Sequence, residues 1–201
     1  NLLPTLPLGE AVEKIQGFIN ELDLPPTYTA EFSGRAKVLA EIMDAPRCEA
    51  LREKVEQFFF AGADIVDLGF GFDATPEDVS RAFSFLEDID RPLAVDTQDP
   101  CLMRAALKRA DLVLSLQEKN IPEIGNEVAD AGIAAVVVPG NSTLKKNIAM
   151  AKRAGVACII ADPLLQPVGS GLVASLKNFK NVGHPLFFGA GNVVELLDAD
   201  S

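Results

Sequence analysis

From Gly34 onward the apolar positions follow two alternating spacings. Short, nearly continuous apolar runs recur at residues 37–43 (KVLAEIM), 64–68, 93–95, 112–116, 134–138, 157–161 and 186–188. Between them lie longer stretches with apolar residues three and four apart, at 48–61, 76–89, 100–110, 122–131, 144–154 and 172–178, with another opening at Gly191. The first pattern predicts buried strands and the second predicts helices. Helix ends are marked in the letters. Thr75-Pro76 with Asp78, and Asp99-Pro100, read as capped starts. Ala61-Gly62, Ala131-Gly132 and Ala154-Gly155 read as left-handed stops that feed the next strand.

Strands that are apolar on both faces and alternate with helices predict a parallel sheet covered by helices. The expected class is α/β. Seven strands fit either a doubly wound sheet or a (β/α)8 barrel truncated after strand 7. Polar residues at nearly every strand end favour the TIM-type barrel, where all such ends face one mouth. Residues 1–34 read differently. Pro4, Pro7, Pro25 and Pro26 punctuate them, and Val12, Ile15, Phe18, Ile19 and Leu22 give one helical stripe over 10–22. The division expected is therefore an N-terminal helix and linker over 1–34, then a barrel over 35–201 with its last unit incomplete. The opening on Asn1 and the stop at Ser201 read as the ends of a piece of a longer protein, with the eighth strand beyond Ser201.

Composition narrows the function classes. The 201 residues are 48 % hydrophobic, enough for a full core, and the formal net charge is -11. A chain this acidic repels nucleic acid and anionic membrane, so neither is an expected partner. Cys48, Cys101 and Cys158 are an odd, widely spaced set with no CxxC, which fits reduced thiols and a cytoplasmic setting. His184 is the only histidine, so a Ser/His/Asp triad or a histidine metal site has little to work with. Asn141-Ser142-Thr143 matches a glycosylation sequon but in such a setting reads as a helix cap.

The candidate chemistry lies at the strand ends. In order these carry Glu41 and Asp44; Asp67 before Gly69-Phe70-Gly71-Phe72; Asp96-Thr97; Ser115, with Gln117, Glu118 and Asn120 just beyond; Pro139-Gly140-Asn141; Asp162-Pro163; and Gly189-Ala190-Gly191-Asn192. A mouth rich in carboxylates has two uses. It can bind magnesium, because hard cations take oxygen ligands. It can also accept paired hydrogen bonds from an amidine-like heterocycle edge, such as the 2-amino-4-oxo edge of a pterin or guanine. The glycine turn at Gly189–Gly191 adds backbone N–H groups suited to an oxyanion. A strand-end Asp that merely caps the next helix is the competing account of each acid taken singly.

The runs GADIVDLG (62–69), VDT (95–97) and ADP (161–163) resemble, in order and spacing, the pterin-binding superfamily of TIM barrels. That superfamily includes dihydropteroate synthase and the pterin-dependent methyltransferases that serve corrinoid proteins. LAVDT, DLVLS, ADPLLQPVGSG and FFGAGNVVELLDADS look like the synthase-related proteins of organisms using methanopterin-type C1 carriers. The resemblance implies a pterin held by Asp96 and Asp162, with Asn192 near the reacting ring. Glu41, Asp44, Asp67, Ser115, Gly189 and Gly191 complete the implied substrate site, with Asn192 and Asp96 as the catalytic pair. No residue is assigned as a metal ligand, although magnesium fits as a companion to a pyrophosphate.

Two departures stand out. The Ser-Arg-Lys run of the synthases is replaced by Ala190-Gly191-Asn192-Val193, and the strand-4 asparagine by Leu114 or Ser115, with Asn120 as its substitute. Three functions follow as expectations. The first is a synthase-like transferase joining a dihydropterin-methyl pyrophosphate to an arylamine, in folate- or methanopterin-type cofactor synthesis. The second is a methyltransferase with a corrinoid-protein partner, and the third a non-catalytic pterin-binding barrel. A homodimer is the expected assembly.

Overall fold

The computed structural model describes residues 37–194. The helix expected at 10–22, the linker after it, and the end of the helix opening near Gly191 lie outside those residues. Six strands form one sheet: β1 (Leu39–Ile42), β2 (Ile65–Gly69), β3 (Leu93–Asp96), β4 (Leu112–Leu116), β5 (Ala134–Val137) and β6 (Ile159–Ala161). All neighbours are parallel, and the order in space is the order in sequence. That order decides between the two architectures. A doubly wound sheet reverses direction at a switch point, whereas a sheet that only advances is the arc of a barrel.

Each connection carries a helix: α1 (Leu51–Phe60), α2 (Pro76–Ser84), α3 (Pro100–Ala106), α4 (Ile121–Ala131) and α5 (Leu144–Arg153). Short helices α6 (Leu172–Leu176) and α7 (Ala190–Val194) follow β6. The caps fall where the sequence marks them. Thr75 and Asp78 form a reciprocal capping box, and Asp99 accepts from the Cys101 amide at 2.7 Å. In the sequon, Thr143 accepts from the Lys146 amide and caps α5. Gly62, Gly132 and Gly155 all take positive φ at the helix ends.

Side-chain alternation along the strands sorts the core into two layers. Val66, Leu68, Leu93, Val95, Val113, Leu116, Ala135, Val137, Ile159 and Ala161 pack outward, in the main core with the helices. Ala94, Leu112, Leu114 and Val136 pack inward, joined by Leu39, Ile65, Val138, Ile160 and Phe187. One inner cluster drawing on all six strands fits the arc of a barrel. The expected seventh strand at 186–188 is reduced to a single parallel bridge, Ala161 to Leu186, with Ala161 N donating to Pro185 O and Phe187 N to Ala161 O. It extends the arc beyond β6 without becoming a regular strand. No helix among the described residues is long and apolar enough to cross a membrane.

The two ends of the strands use carboxylates differently. At the N-terminal ends, Asp64 accepts the Val38 amide at 2.9 Å and Asp111 accepts the Leu93 amide at 3.0 Å, so each ties its strand to the one before. At the C-terminal ends, Gly69 lets β2 come so close to β1 that an added Cβ would stand 2.7 Å from the Met43 carbonyl oxygen. Since that obstacle is backbone, Gly69→Ala is expected to cost about 1–3 kcal/mol of stability. Urea unfolding measures it. A shift in midpoint with an unchanged slope is the expected result, and a midpoint equal to that of the parent would show that the two strands part freely.

Candidate functional site

The inward phase of each strand determines which acids meet. In β1 and β2 the register pairs Glu41 with Asp67, so both side chains rise from the same face. Asp67 in turn pairs with Ala94, two residues before Asp96, so Asp96 lies on that face one step nearer the mouth. The result is a group of three carboxylates, Glu41, Asp67 and Asp96, each with an oxygen within 4.8 Å of the others'. Asp67 is 1 % exposed and its Oδ1 accepts no hydrogen bond. Glu41 is exposed, on the strand that ends the sheet.

Burial, then the charges of Asp96 and Glu41, hold the Asp67 carboxyl well above its ordinary range, opposed only weakly by the Leu68 amide. Glu41 shifts upward for the same reasons, its partial burial first and Asp96 second.

Ser115 reaches this group through a break in β4. Val113 pairs with Ala135 but Leu116 pairs with Val137, so three steps on β4 match two on β5. That extra residue is a β-bulge. Ser115 takes φ +65° there, and its hydroxyl donates to Asp96 Oδ1 at 2.7 Å. Asn120 holds the bulge from behind. Its Nδ2 donates to the Ser115 carbonyl at 3.0 Å and to Gln98 O at 3.3 Å, while its Oδ1 accepts the Gln117 amide at 2.8 Å. Asn120 is thus buried and committed to the loop. It supports Ser115 and does not stand in for a ligand-facing asparagine.

Asp162 lies apart, after β6. Inward Ile160 sets its phase, and the residue is 4 % exposed. Its Oδ1 accepts the Leu164 amide at 2.8 Å, closing a turn around Pro163 with Leu164 at φ +62°. Burial raises its pKa to about 6, against the Leu164 hydrogen bond, and no neighbouring carboxylate contributes. The strand-end acids therefore form a cluster of three on β1–β3 and a separate fourth on β6, not one continuous ring.

The remaining expected residues fall into local structures. Asp44 pairs with Arg47 at 2.9 Å, and Arg47 also holds Asp73, so the loops after β1 and β2 are clasped together. Asn192 lies in α7 with its Nδ2 packed 3.1 Å from where a side chain on Gly189 would begin. Among the described residues no hydrogen bond joins it to the acids. In the glycine turn the Ala190 amide donates to Phe188 O and the Asn192 amide to Gly189 O, so both are already engaged.

Two residues not singled out as site residues shape the rim. Glu118 accepts the Asn141 amide and the Asn147 side chain, which ties the loop after β5 to the loop after β4. A Cβ on Gly140 would meet Gln117 Oε1 at 2.2 Å and both Glu118 oxygens below 3 Å. The sequence signal was there: a lone glycine between Pro139 and Asn141, opposite an acid.

Asp162 gives the site a pH signature. Its folded-state pKa of about 6 exceeds the roughly 3.9 of an unfolded chain. Between those values the folded chain holds more protons, so stability falls as pH rises through that window. Asp162→Asn keeps the oxygen that accepts from Leu164 but cannot ionise. The variant is expected to lose that decline, which is at most about 3 kcal/mol for a shift of this size. Urea midpoints from about pH 4 to about pH 7 test it; a variant that declines as steeply as the parent would place the proton elsewhere.

No protein-family profile matches the chain. An uncharacterised protein of Methanocaldococcus jannaschii is 34 % identical over 191 residues, covering 82 % of this chain and 36 % of its own. The chain thus spans about a third of the length of that relative. Among solved structures, dihydropteroate synthase from Thermus thermophilus superposes with a TM-score of 0.60 at 25 % identity, over 75 % of this chain and 70 % of that one. The Yersinia pestis synthase with a sulfonamide drug complex gives 0.64 at 18 %, over 87 % and 81 %. A dihydropteroate synthase from Coxiella burnetii in complex with pteroic acid gives 0.58 at 20 %, over 78 % and 74 %. At the lower identities the likeness is one of fold, and fold alone does not carry chemistry. With 25 % identity to the Thermus thermophilus synthase and the same fold as the other two, the chain is similar to the dihydropteroate synthase-like parallel barrels.

Proposed function

We propose that this chain binds a reduced pterin at the carboxyl ends of its strands and acts there as a dihydropteroate synthase-like transferase. The observation that carries the reading is the placement of Asp96 and Asp162, both inward at strand ends of a fold shared with proteins solved with pteroic acid bound. Two carboxylates on different strands can accept N–H groups from separate edges of one flat heterocycle. Ser115 fixes the Asp96 carboxylate by holding Oδ1, which leaves Oδ2 for the ligand.

The reaction proposed joins a dihydropterin-methyl pyrophosphate to an arylamine. The amine nitrogen attacks the exocyclic methylene carbon, the carbon–oxygen bond to pyrophosphate breaks, and the amine gives up a proton. Pyrophosphate leaves with the bonding pair. Magnesium would offset its charge, and the product would enter folate- or methanopterin-type cofactor synthesis. A homodimer completes the proposal.

One observation favours a second reading. The run Ala190-Gly191-Asn192-Val193 has neither lysine nor arginine, and Asn192 falls where the methyltransferases place an asparagine, a neutral donor and acceptor suited to a ring nitrogen as a methyl group departs. In that reading the methyl acceptor is the cobalt of a corrinoid protein.

Three measurements separate the readings. Calorimetry with a dihydropterin is expected to show binding, weakened about 10- to 100-fold in Asp96→Asn and in Asp162→Asn, as loss of a charged hydrogen-bond partner predicts. Arylamine-dependent pyrophosphate release then marks the transferase, and methyl transfer to free cobalamin marks the alternative. Pterin binding with neither reaction would leave a binding barrel. Absence of pterin binding would sink both reactions.

A further inference from the structure

Asp67 is a buried titratable group that pterin binding by Asp96 and Asp162 leaves unused. It is 1 % exposed, and its Oδ1 has no hydrogen-bond partner. Its titratable neighbours are Glu41 on β1 and Asp96 on β3, each with an oxygen within 4.8 Å of an Asp67 oxygen. The next strand, β4, contributes the neutral Ser115, whose hydroxyl donates to Asp96 Oδ1 at 2.7 Å. Surface acids of this chain hold arginines, as Asp88 holds Arg52 and Glu127 holds Arg104. Among the described residues no ion pair reaches Glu41, Asp67 or Asp96. A buried carboxylate without a partner is costly. Asp162, the other buried acid among the described residues, is placed differently: no carboxylate neighbours it, and it accepts the Leu164 amide at 2.8 Å.

The surroundings of the three acids decide which of them keeps a proton. Glu41 is exposed, so water solvates its charge. Asp96 accepts from Ser115, a hydrogen bond that favours its charged form. Asp67 has neither aid. Burial, then the charges of Asp96 and Glu41, hold its carboxyl well above the ordinary range.

We propose that Asp67 is a positioning residue: it stands below Asp96 as a neutral carboxylic acid and donates a hydrogen bond to that carboxylate, holding it singly charged and oriented for the pterin. The register places it there. Asp67 pairs with Ala94, two residues before Asp96 on the same face, so it lies one step deeper in the barrel than Asp96. Oxygens already within 4.8 Å need only side-chain rotation to come within about 2.7 Å, the span of such a bond. The proton makes an Asp67 oxygen a donor, and a hydrogen bond to a charged acceptor is about twice as strong as one between neutral groups. The pair then carries one proton and one negative charge. Each carboxylate oxygen has two lone pairs, so Asp96 keeps room for the N–H groups of a ligand. Ser115 steadies the same carboxylate from β4, and Asp67 steadies it from β2. The role assigned to Asp67 rests on pterin binding by Asp96; the place of the proton does not. As pH rises through the raised Asp67 pKa the proton leaves, and a second charge beside Asp96 repels its carboxylate. Affinity for the pterin therefore falls on the alkaline side.

The test uses the 201-residue chain and has two arms. The first needs no ligand. In the Asp162→Asn background, which silences the other raised carboxyl, infrared spectra at neutral pH are expected to show the C=O stretch of a protonated carboxyl. Adding Asp67→Asn should remove that band. The second arm is calorimetry with a dihydropterin across the neutral and alkaline range. Asp67→Asn, whose amide donates as the acid does, should bind within about threefold of the parent at neutral pH and lose the alkaline fall. Asp67→Ala, which donates nothing, should bind about tenfold or more weakly at every pH. If Asp67→Ala does not fold, the pH profile of Asp67→Asn decides. A band that survives Asp67→Asn, an alkaline fall equal in Asp67→Asn and the parent, or parental affinity in Asp67→Ala would overturn the proposal. A parent that binds no dihydropterin sinks the pterin reading and with it the positioning role, while the band still locates the proton. Binding by a parent whose band survives Asp67→Asn sinks this role and leaves the pterin reading standing.

Discussion

Like charges on one face of a parallel sheet cannot avoid one another. In this chain the register sets exposed Glu41 beside buried Asp67 and brings half-buried Asp96 in above, on the inward face of the sheet. The backbone ladder that holds the strands together is also what holds the carboxylates together, so the repulsion is met by the upward shift of the Asp67 carboxyl and not by separation of the strands. Much of the mouth can be understood as a response to that constraint. The clasp of Arg47 across two loops, the bulge that turns Ser115 toward Asp96, and the isolation of Asp162 on β6 all keep further negative charge away or hold what is present in one orientation.

The architecture was legible in the sequence because its signals are local. Strand runs, caps and left-handed glycines each depend on a few neighbouring residues, and Thr75, Asp99, Gly132 and Gly155 sit as their letters predict. The choice of a barrel over a doubly wound sheet was less direct. It rested on where polar residues fall along each strand, and the sequential strand order supplies the geometric reason. The segment at 186–188 reads as a strand but makes only one bridge, because hydrophobic content does not guarantee a partner along its full length.

The polar strand ends were legible in the sequence, and their grouping was not. Glu41, Asp67, Asp96, Ser115 and Asp162 were each recognisable as strand-end polar residues. Which of them meet depends on register, and register between parallel strands has no sequence signature of its own. The division into three acids and one therefore had to come from the structure. Asn120 shows the same limit. Its letter suits a ligand contact equally well, and only the three hydrogen bonds it spends on the loop assign it to support.

The bulge in β4 shifts the phase of that strand. Before it, alternate residues Leu112 and Leu114 face the barrel interior, and Leu116, which would have continued that alternation, faces the helix layer. Ser115 belongs to neither packing code. Its identity answers to the left-handed backbone and to Asp96 and not to the demand for volume that governs its neighbours on the strand. A fold of this kind can keep its architecture fixed while it changes what its mouth recognises, and β4 is where such a change would disturb the least.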